Sequence, residues 1–252
     1  MDLMAGELNG KVALVTGASR GIGAAIARGY AERGALVVGA ARSTDQLREL
    51  EATNPERIST ATVDLRDAES LNSLVDLVVE RHGRIDILVN NAGVAPAADF
   101  ATEPIEQWRT TFEVNVIAPM TLAQAAGRYF IPQRSGKIIN IASTTGIRGK
   151  PGLVGYSASK GAVARFTEAL AAEWARHNIQ VNCIAPGAFA TDAQSAVLES
   201  PDLLHRRVRR IPAKRMGDVS ELVPLACLLA APGSDFITGS IFVIDGGESG
   251  KL

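Results

Sequence analysis

The sequence predicts an α/β fold: a doubly wound parallel sheet of seven strands with helices on both faces. Three observations point there. Apolar runs and amphipathic stretches alternate from one end of the chain to the other. Most of the runs are nearly continuous in Val, Ile, Leu and Ala, as in strands covered on both faces. Each intervening stretch is long enough for a right-handed crossover between parallel neighbours. At 252 residues, with no linker, repeat or low-complexity segment, residues 1–252 read as one domain.

The expected strands are 12–15, 36–40, 58–63, 85–89, 137–142, 179–184 and 240–244. Between the first two, Ile22, Ile26 and Tyr30 fall on one helical face; later Leu71, Leu74, Val75, Val78 and Val79 do the same. Pro104, after Thr102, predicts a helix start with the proline in the first turn. One region breaks the rhythm. Between Pro186 and Gly217 there is no clean strand but there are Pro201, Pro212 and many charges. An insertion of that length near a strand end suits a binding loop, so a substrate lid is expected at about 188–216.

Composition excludes several function classes. Apolar residues are 46%, and 26 basic against 27 acidic side chains leave a net charge of −1. Disorder is excluded, and the balance supplies no overall attraction for nucleic acid or an anionic membrane. Cys183 and Cys227 stand in apolar stretches, as buried thiols of a reducing compartment do. His82, His177 and His205 are isolated, so no metal site is expected. The N-terminal MDLMAGELNG has no apolar core of signal-peptide length, and the longest apolar stretch, 222–231, is interrupted by Pro224. A cytoplasmic protein without membrane partners is the expectation.

The glycines carry the first chemical signal. The run Val12-Ala-Leu-Val-Thr16 ends at Gly17; Ala18, Ser19 and Arg20 then lead to Gly21, Ile22, Gly23 and a helical face. Strand, glycine turn and helix together expose backbone N–H groups and a helix N-terminus to a pyrophosphate. The spacing G-x-x-x-G-x-G, as TGASRGIG, resembles the short-chain dehydrogenase/reductase family. The resemblance continues in order through Asn90-Asn91-Ala92-Gly93, Asn115, Ser143, Tyr156-Ser-Ala-Ser-Lys160, Pro186-Gly187 and Thr191, over nearly the whole chain. It implies a Rossmann-type fold binding a nicotinamide dinucleotide.

The end of the second strand bears on which dinucleotide. A carboxylate there would hold the adenosine ribose of NAD and repel a further phosphate. Here Ala41 and Arg42 stand instead, and the Arg42 guanidinium, with Arg20, suits a phosphate. NADP(H) is therefore favoured over NAD(H), unless both arginines are merely solvated. Asp64 and Leu65 resemble the family's pair that contacts adenine; Asp64 also reads as a plain turn cap.

Tyr156 and Lys160 are four apart and share one face of a helix. A free tyrosine is a poor base at neutral pH; a fixed ammonium beside it favours the phenolate. The pair suits general acid–base work on an alcohol or ketone oxygen. Ser143, at a strand's carboxyl end, is placed to donate to that oxygen, although Thr144 and Thr145 follow directly. The resemblance implies reversible hydride transfer, with Tyr156 exchanging the proton, Ser143 orienting the oxygen and Lys160 binding the ribose and lowering the tyrosine pKa. It further implies that Asn115 supports a proton relay, that Thr191 contacts the carboxamide and that Asn91 and Gly93 border the cofactor.

The segments IPAKRMGDVSELV and ITGSIFVIDGG resemble both 3-oxoacyl-carrier-protein reductases and gluconate or deoxygluconate dehydrogenases, whose substrates are all anionic. The basic run from His205 to Arg210, with Lys214 and Arg215, reads as a solvated helix face, a site for an anionic substrate or partner, or a nucleic-acid patch. The patch reading lacks interleaved aromatics. A dinucleotide-sensing regulator without catalysis is the alternative function, though it has no need of Ser143, Tyr156 and Lys160 together. Segment 108–130 and the helix after Tyr156, with Ala162, Val163, Phe166, Leu170 and Trp174, look too apolar for one chain to cover. Family members pair these helices, and also the strand at 241–245, so a homotetramer is expected, with a dimer as the fallback.

Overall fold

In the computed structural model, which describes residues 7–250, seven strands form one wholly parallel sheet. They are β1 (Val12–Thr16), β2 (Leu36–Ala41), β3 (Ile58–Thr62), β4 (Ile87–Asn90), β5 (Gly136–Ile141), β6 (Ile179–Pro186) and β7 (Ile241–Ile244). Their spatial order is β3-β2-β1-β4-β5-β6-β7. The order reverses between β1 and β4, and crossovers to opposite sides open a crevice there, at the carboxyl ends of the strands.

Side-chain alternation divides the strands between two cores. Ala13, Val15, Val37, Ile87, Val89, Ile139 and Ile184 pack under α1 (Gly21–Glu32) and α9 (Val223–Ala230). Val12, Leu14, Val38, Leu88, Ile138 and Val181 face α3 (Ala68–His82), α5 (Ala118–Gln133) and α6 (Val154–Trp174). The remaining helices are α2 (Thr44–Thr53), α4 (Ile105–Phe112), α7 (Ser195–Leu198) and α8 (Pro201–Arg209). Both cysteines are buried and unpaired. No helix among the described residues is long and apolar enough to cross a membrane.

Several expectations need adjustment. Pro104 is the N-cap of α4, not part of its first turn. The fourth strand begins two residues later than expected, because Asp86 is occupied otherwise. Its buried carboxylate accepts from the Val12 N–H at 3.0 Å and pairs with Arg84 and Lys11. The apolar stretch 108–130 is not one helix: a π-helical turn, Glu113–Ile117, separates α4 from α5. The argument for an interface on α6 also loses ground. Val163 and Trp174 are buried within the chain, Trp174 lying where a side chain on Gly127 of α5 would have to go. Ala162, Phe166 and Leu170 remain half-buried, the edge strand β7 leaves Val243 exposed, and Phe236 is fully exposed.

Candidate active site

A cleft of ≈ 1820 Å³ follows the carboxyl edge of the sheet, ample for a dinucleotide and a second small molecule together. At its centre, β1 ends in a turn that Gly17 and Gly21 enter with φ of 64° and 55°, backbone that favours glycine. A Cβ on Gly23 would lie 2.3 Å from the Gly17 carbonyl oxygen, so helix and strand approach as only glycine permits. The N-terminus of α1 therefore meets the cleft through bare backbone N–H groups. Thr16, which sequence reasoning passed over, fastens this turn. Its hydroxyl donates to the Val89 carbonyl and accepts the N–H groups of Asn91 (3.0 Å) and Ala92 (3.2 Å). Asn91 Nδ2 in return donates to the carbonyls of Thr16 (2.9 Å) and Gly17 (3.2 Å). Across the turn stands Thr191, its side chain within 3.6 Å of where a Gly21 Cβ would be.

The donor set suits a phosphorylated dinucleotide. Ser19, Arg20, Ile22, Ala41 and Arg42 line the same cleft, with no carboxylate at the end of β2; Asp45, in the first turn of α2, is 3.4 Å from Arg48. Asp64 and Leu65 are there as expected, but Asp64 is engaged. Arg66, missed from sequence, donates Nε at 3.1 Å and Nη2 at 2.5 Å to its carboxylate. These bonds, and more weakly the Arg42 charge, hold the Asp64 carboxyl down at about 2. Arg66 thus adds a third guanidinium to this end of the cleft.

The residues expected to handle the proton gather where β5 and α6 meet. Ser143 follows β5 and caps the short turn Thr144–Gly146. Of the three adjacent hydroxyl residues, Thr145 donates to Ser143 Oγ through both its N–H (3.2 Å) and its hydroxyl (3.0 Å). With its oxygen accepting from Thr145, Ser143 has its own proton to give, and it is turned to Tyr156. Tyr156 is in the first turn of α6, where burial pushes its phenol up and a bond with Ser143 pulls it down. The lysine charge expected to lower it is not among these causes. Lys160 Nζ lies 5.8 Å from the Tyr156 ring centroid and donates to the Ile141 carbonyl at 2.7 Å, while burial brings the ammonium itself down to about 8.

Two predicted residues work from behind the cleft wall. Gly23 is the packing contact described above. Asn115, in the π-helical turn, exchanges bonds with the backbone of Val94, Nδ2 donating to its carbonyl and Oδ1 accepting its N–H, both at 2.9 Å. Nδ2 also reaches Ser159 Oγ at 3.0 Å. A Cβ on Gly93 would sit 3.2 Å from Asn115 Oδ1 and 3.3 Å from Lys160 Nζ, which shows how closely these three converge. All other predicted residues, Ala92, Pro186 and Gly187 included, line the cleft directly. A buried chain that sequence could not show sets α6 against the sheet: Asn90 Nδ2 to Asn140 Oδ1, then Asn140 Nδ2 to Thr167 Oγ1, each 2.9 Å.

A family model described as "Enoyl-(Acyl carrier protein) reductase" matches residues 17–249. The chain belongs to the short-chain dehydrogenase/reductase family. Gluconate 5-dehydrogenase of Gluconobacter oxydans (strain 621H) is 37% identical, over 98% of this chain and 97% of its own. The 3-oxoacyl-[acyl-carrier-protein] reductase of Thermotoga maritima is 36% identical, over 96% of this chain and 98% of its own. Among solved structures, a gluconate 5-dehydrogenase from Burkholderia cenocepacia J2315 in complex with NADP and tartrate superposes with a TM-score of 0.93. It is 35% identical, and both chains are covered completely. This short-chain dehydrogenase/reductase is accordingly an oxidoreductase of CH–OH and C=O groups.

Proposed function

We propose that the protein catalyses reversible, NADP(H)-dependent oxidoreduction between a secondary alcohol and the corresponding ketone on a small anionic substrate. The observation that carries this reading is the convergence of Ser143, Tyr156 and Lys160 in the cleft that the glycine turn opens. The similar gluconate 5-dehydrogenase structure with NADP and tartrate supports both the cofactor and the anionic substrate. Bound at the glycine turn, with Arg20, Arg42 and Arg66 toward its phosphates, NADP(H) supplies or accepts the hydride.

In the reducing direction, Tyr156 hands its proton to the ketone oxygen, and Ser143 donates a hydrogen bond to that oxygen as charge develops on it. Lys160 remains charged below its pKa of about 8; it stabilises the phenolate left on Tyr156 and holds the ribose. Asn115 holds the Val94 backbone and the Ser159 hydroxyl in place, so that the relay behind Lys160 is maintained. Thr191, with residues 188–216 acting as a lid, closes over the nicotinamide end. The assembly is a homotetramer, supported by the half-buried apolar face of α6 and the exposed edge of β7, and it works in the cytoplasm.

The test is NADPH oxidation followed by absorbance with a panel of keto acids, sugar acids and acetoacetyl thioesters. Turnover on a keto acid is expected. Tight NADPH binding with no turnover on any member would favour a dinucleotide sensor instead.

A further inference from the structure

The basic run in the lid is sorted by its helix. Of His205, Arg206, Arg207, Arg209 and Arg210, only Arg207 and Arg210, three apart and so on one face, line the cleft. A small apolar cluster of Ala188, Ile211 and Met216 seats the helix through Leu204 and Val208, which leaves Arg207 half-buried and Arg210 exposed at the cleft. Facing it is Lys150, whose N–H donates to Ser157 Oγ at 3.3 Å, one residue beyond Tyr156. Glu248, after β7, holds Arg207 in a two-pronged pair, with Nη2 to Oε2 at 2.7 Å. Lys150 and Arg210 have no ion-pair partner among the described residues. Strand order places this group by β5, β6 and β7, on the side of the cleft away from Arg42 and Arg66 by β2 and β3.

We propose that Lys150, Arg207 and Arg210 form a carboxylate receptor that selects a short keto or hydroxy acid, with Glu248 presenting the Arg207 fork. This rests on the oxidoreductase reading and names the substrate class of that same site. Two unpaired cations and a preoriented guanidinium leave the pocket net positive. A carboxylate between them would complete the charge and accept several charge-assisted bonds. The receptor's position suits a short substrate. The Lys150 backbone is anchored at Ser157, one residue from the tyrosine expected to handle the reacting oxygen, so its ammonium stays within a side chain's reach of that end of the cleft. A carrier-bound thioester has its nearest phosphate at the far end of a long neutral arm, and nothing on it answers cations placed here. Lys150 also responds to this setting: loss of water contact lowers its pKa first, then Arg207 and Arg210, against Glu248.

The test uses Lys150→Ala, Arg210→Ala and the double variant, with Arg206→Ala and Arg209→Ala as outward-facing controls. The first readout is the ratio of kcat/KM for 5-keto-D-gluconate to that for an uncharged ketose of equal length. Losing one charged hydrogen bond should cut this ratio about 10- to 100-fold, mainly through KM, while the controls leave it unchanged. The second readout needs no turnover: calorimetric binding of gluconate, expected to be weakened in each variant and lost in the double one. Equal gluconate binding by wild type and double variant overturns the receptor. So does a wild type that reduces acetoacetyl thioesters or neutral ketoses in preference to keto acids, an outcome that leaves the oxidoreductase reading standing. If no substrate is turned over at all, that reading fails, and the receptor still stands or falls on the binding measurement.

Discussion

Replacing Lys160 by methionine should change how stability depends on pH. The side chain is 4% exposed, and its ammonium has one hydrogen-bond partner, the Ile141 carbonyl. Burial lowers its pKa to about 8, whereas in the unfolded chain a lysine titrates near ~10.4. The folded value is the depressed one, so between these limits the unfolded chain binds more protons and stability rises with pH. The contribution is full above the unfolded pKa and is lost as the pH falls through about 8. A gap of this size corresponds to about 3 kcal/mol. Methionine keeps the length and the apolar stem but cannot titrate. Urea unfolding of both proteins, followed by tryptophan fluorescence from pH 7 to 10.5, gives the difference directly. Wild type should gain about 3 kcal/mol on the variant across that range. Cys183 and Cys227, both pushed up to about 11 by burial, act in the opposite sense at the alkaline end; Cys227 is common to both proteins and cancels, whereas Cys183 feels the Lys160 charge, so both proteins carry Cys183→Ala. A difference that stays flat would show that Lys160 keeps its proton in the folded protein and that burial does not govern it.

Tyr156→Phe should leave NADPH binding intact, by fluorescence titration, while turnover falls by about 10²- to 10⁴-fold, the scale of a lost general acid. Ala41→Asp with Arg42→Ala should move the ratio of Kd values toward NADH, since it removes an attraction and adds a repulsion; a wild type that already prefers NADH would contradict the reading of β2. Asn91→Ala frees two carbonyls of the glycine turn. It should cost about 1–3 kcal/mol by thermal unfolding and weaken NADPH binding as well. Light scattering at micromolar concentration should give a mass near four chains, and a stable species at 26.5 kDa would refute the tetramer.

The sheet was legible because its strands are covered on both faces and therefore read as continuous apolar runs. The residues that meet at the candidate site could be picked out because short patterns at strand ends, such as Gly17 to Gly23 and Tyr156 with Lys160, need no knowledge of distant partners. What stayed hidden depends on such partners. Thr16, Asn140 and Thr167 are ordinary polar residues until the topology brings Asn91 and Asn90 beside them. Nothing in the sequence marks Arg66 until Asp64 pairs with it at the cleft wall. Trp174 seemed to need a second subunit, because nothing local to it announces that Gly127, on another helix, has left it a place.

The π-helical turn at Glu113–Ile117 lets the site and the core answer to different demands. There the Ala118 N–H reaches back five residues to Glu113 instead of four, so the turn holds one residue more than an α-helix would. Each residue advances a regular helix by about 100°, and the widened turn absorbs that advance. Removing one residue here would return the segment to regular winding and leave the faces downstream where they are. Leu122, Ala123, Ala126 and Phe130 would stay buried under the sheet. What would go is the bulge that aims the Asn115 amide at Val94, so a single-codon loss would spoil the site and spare the fold.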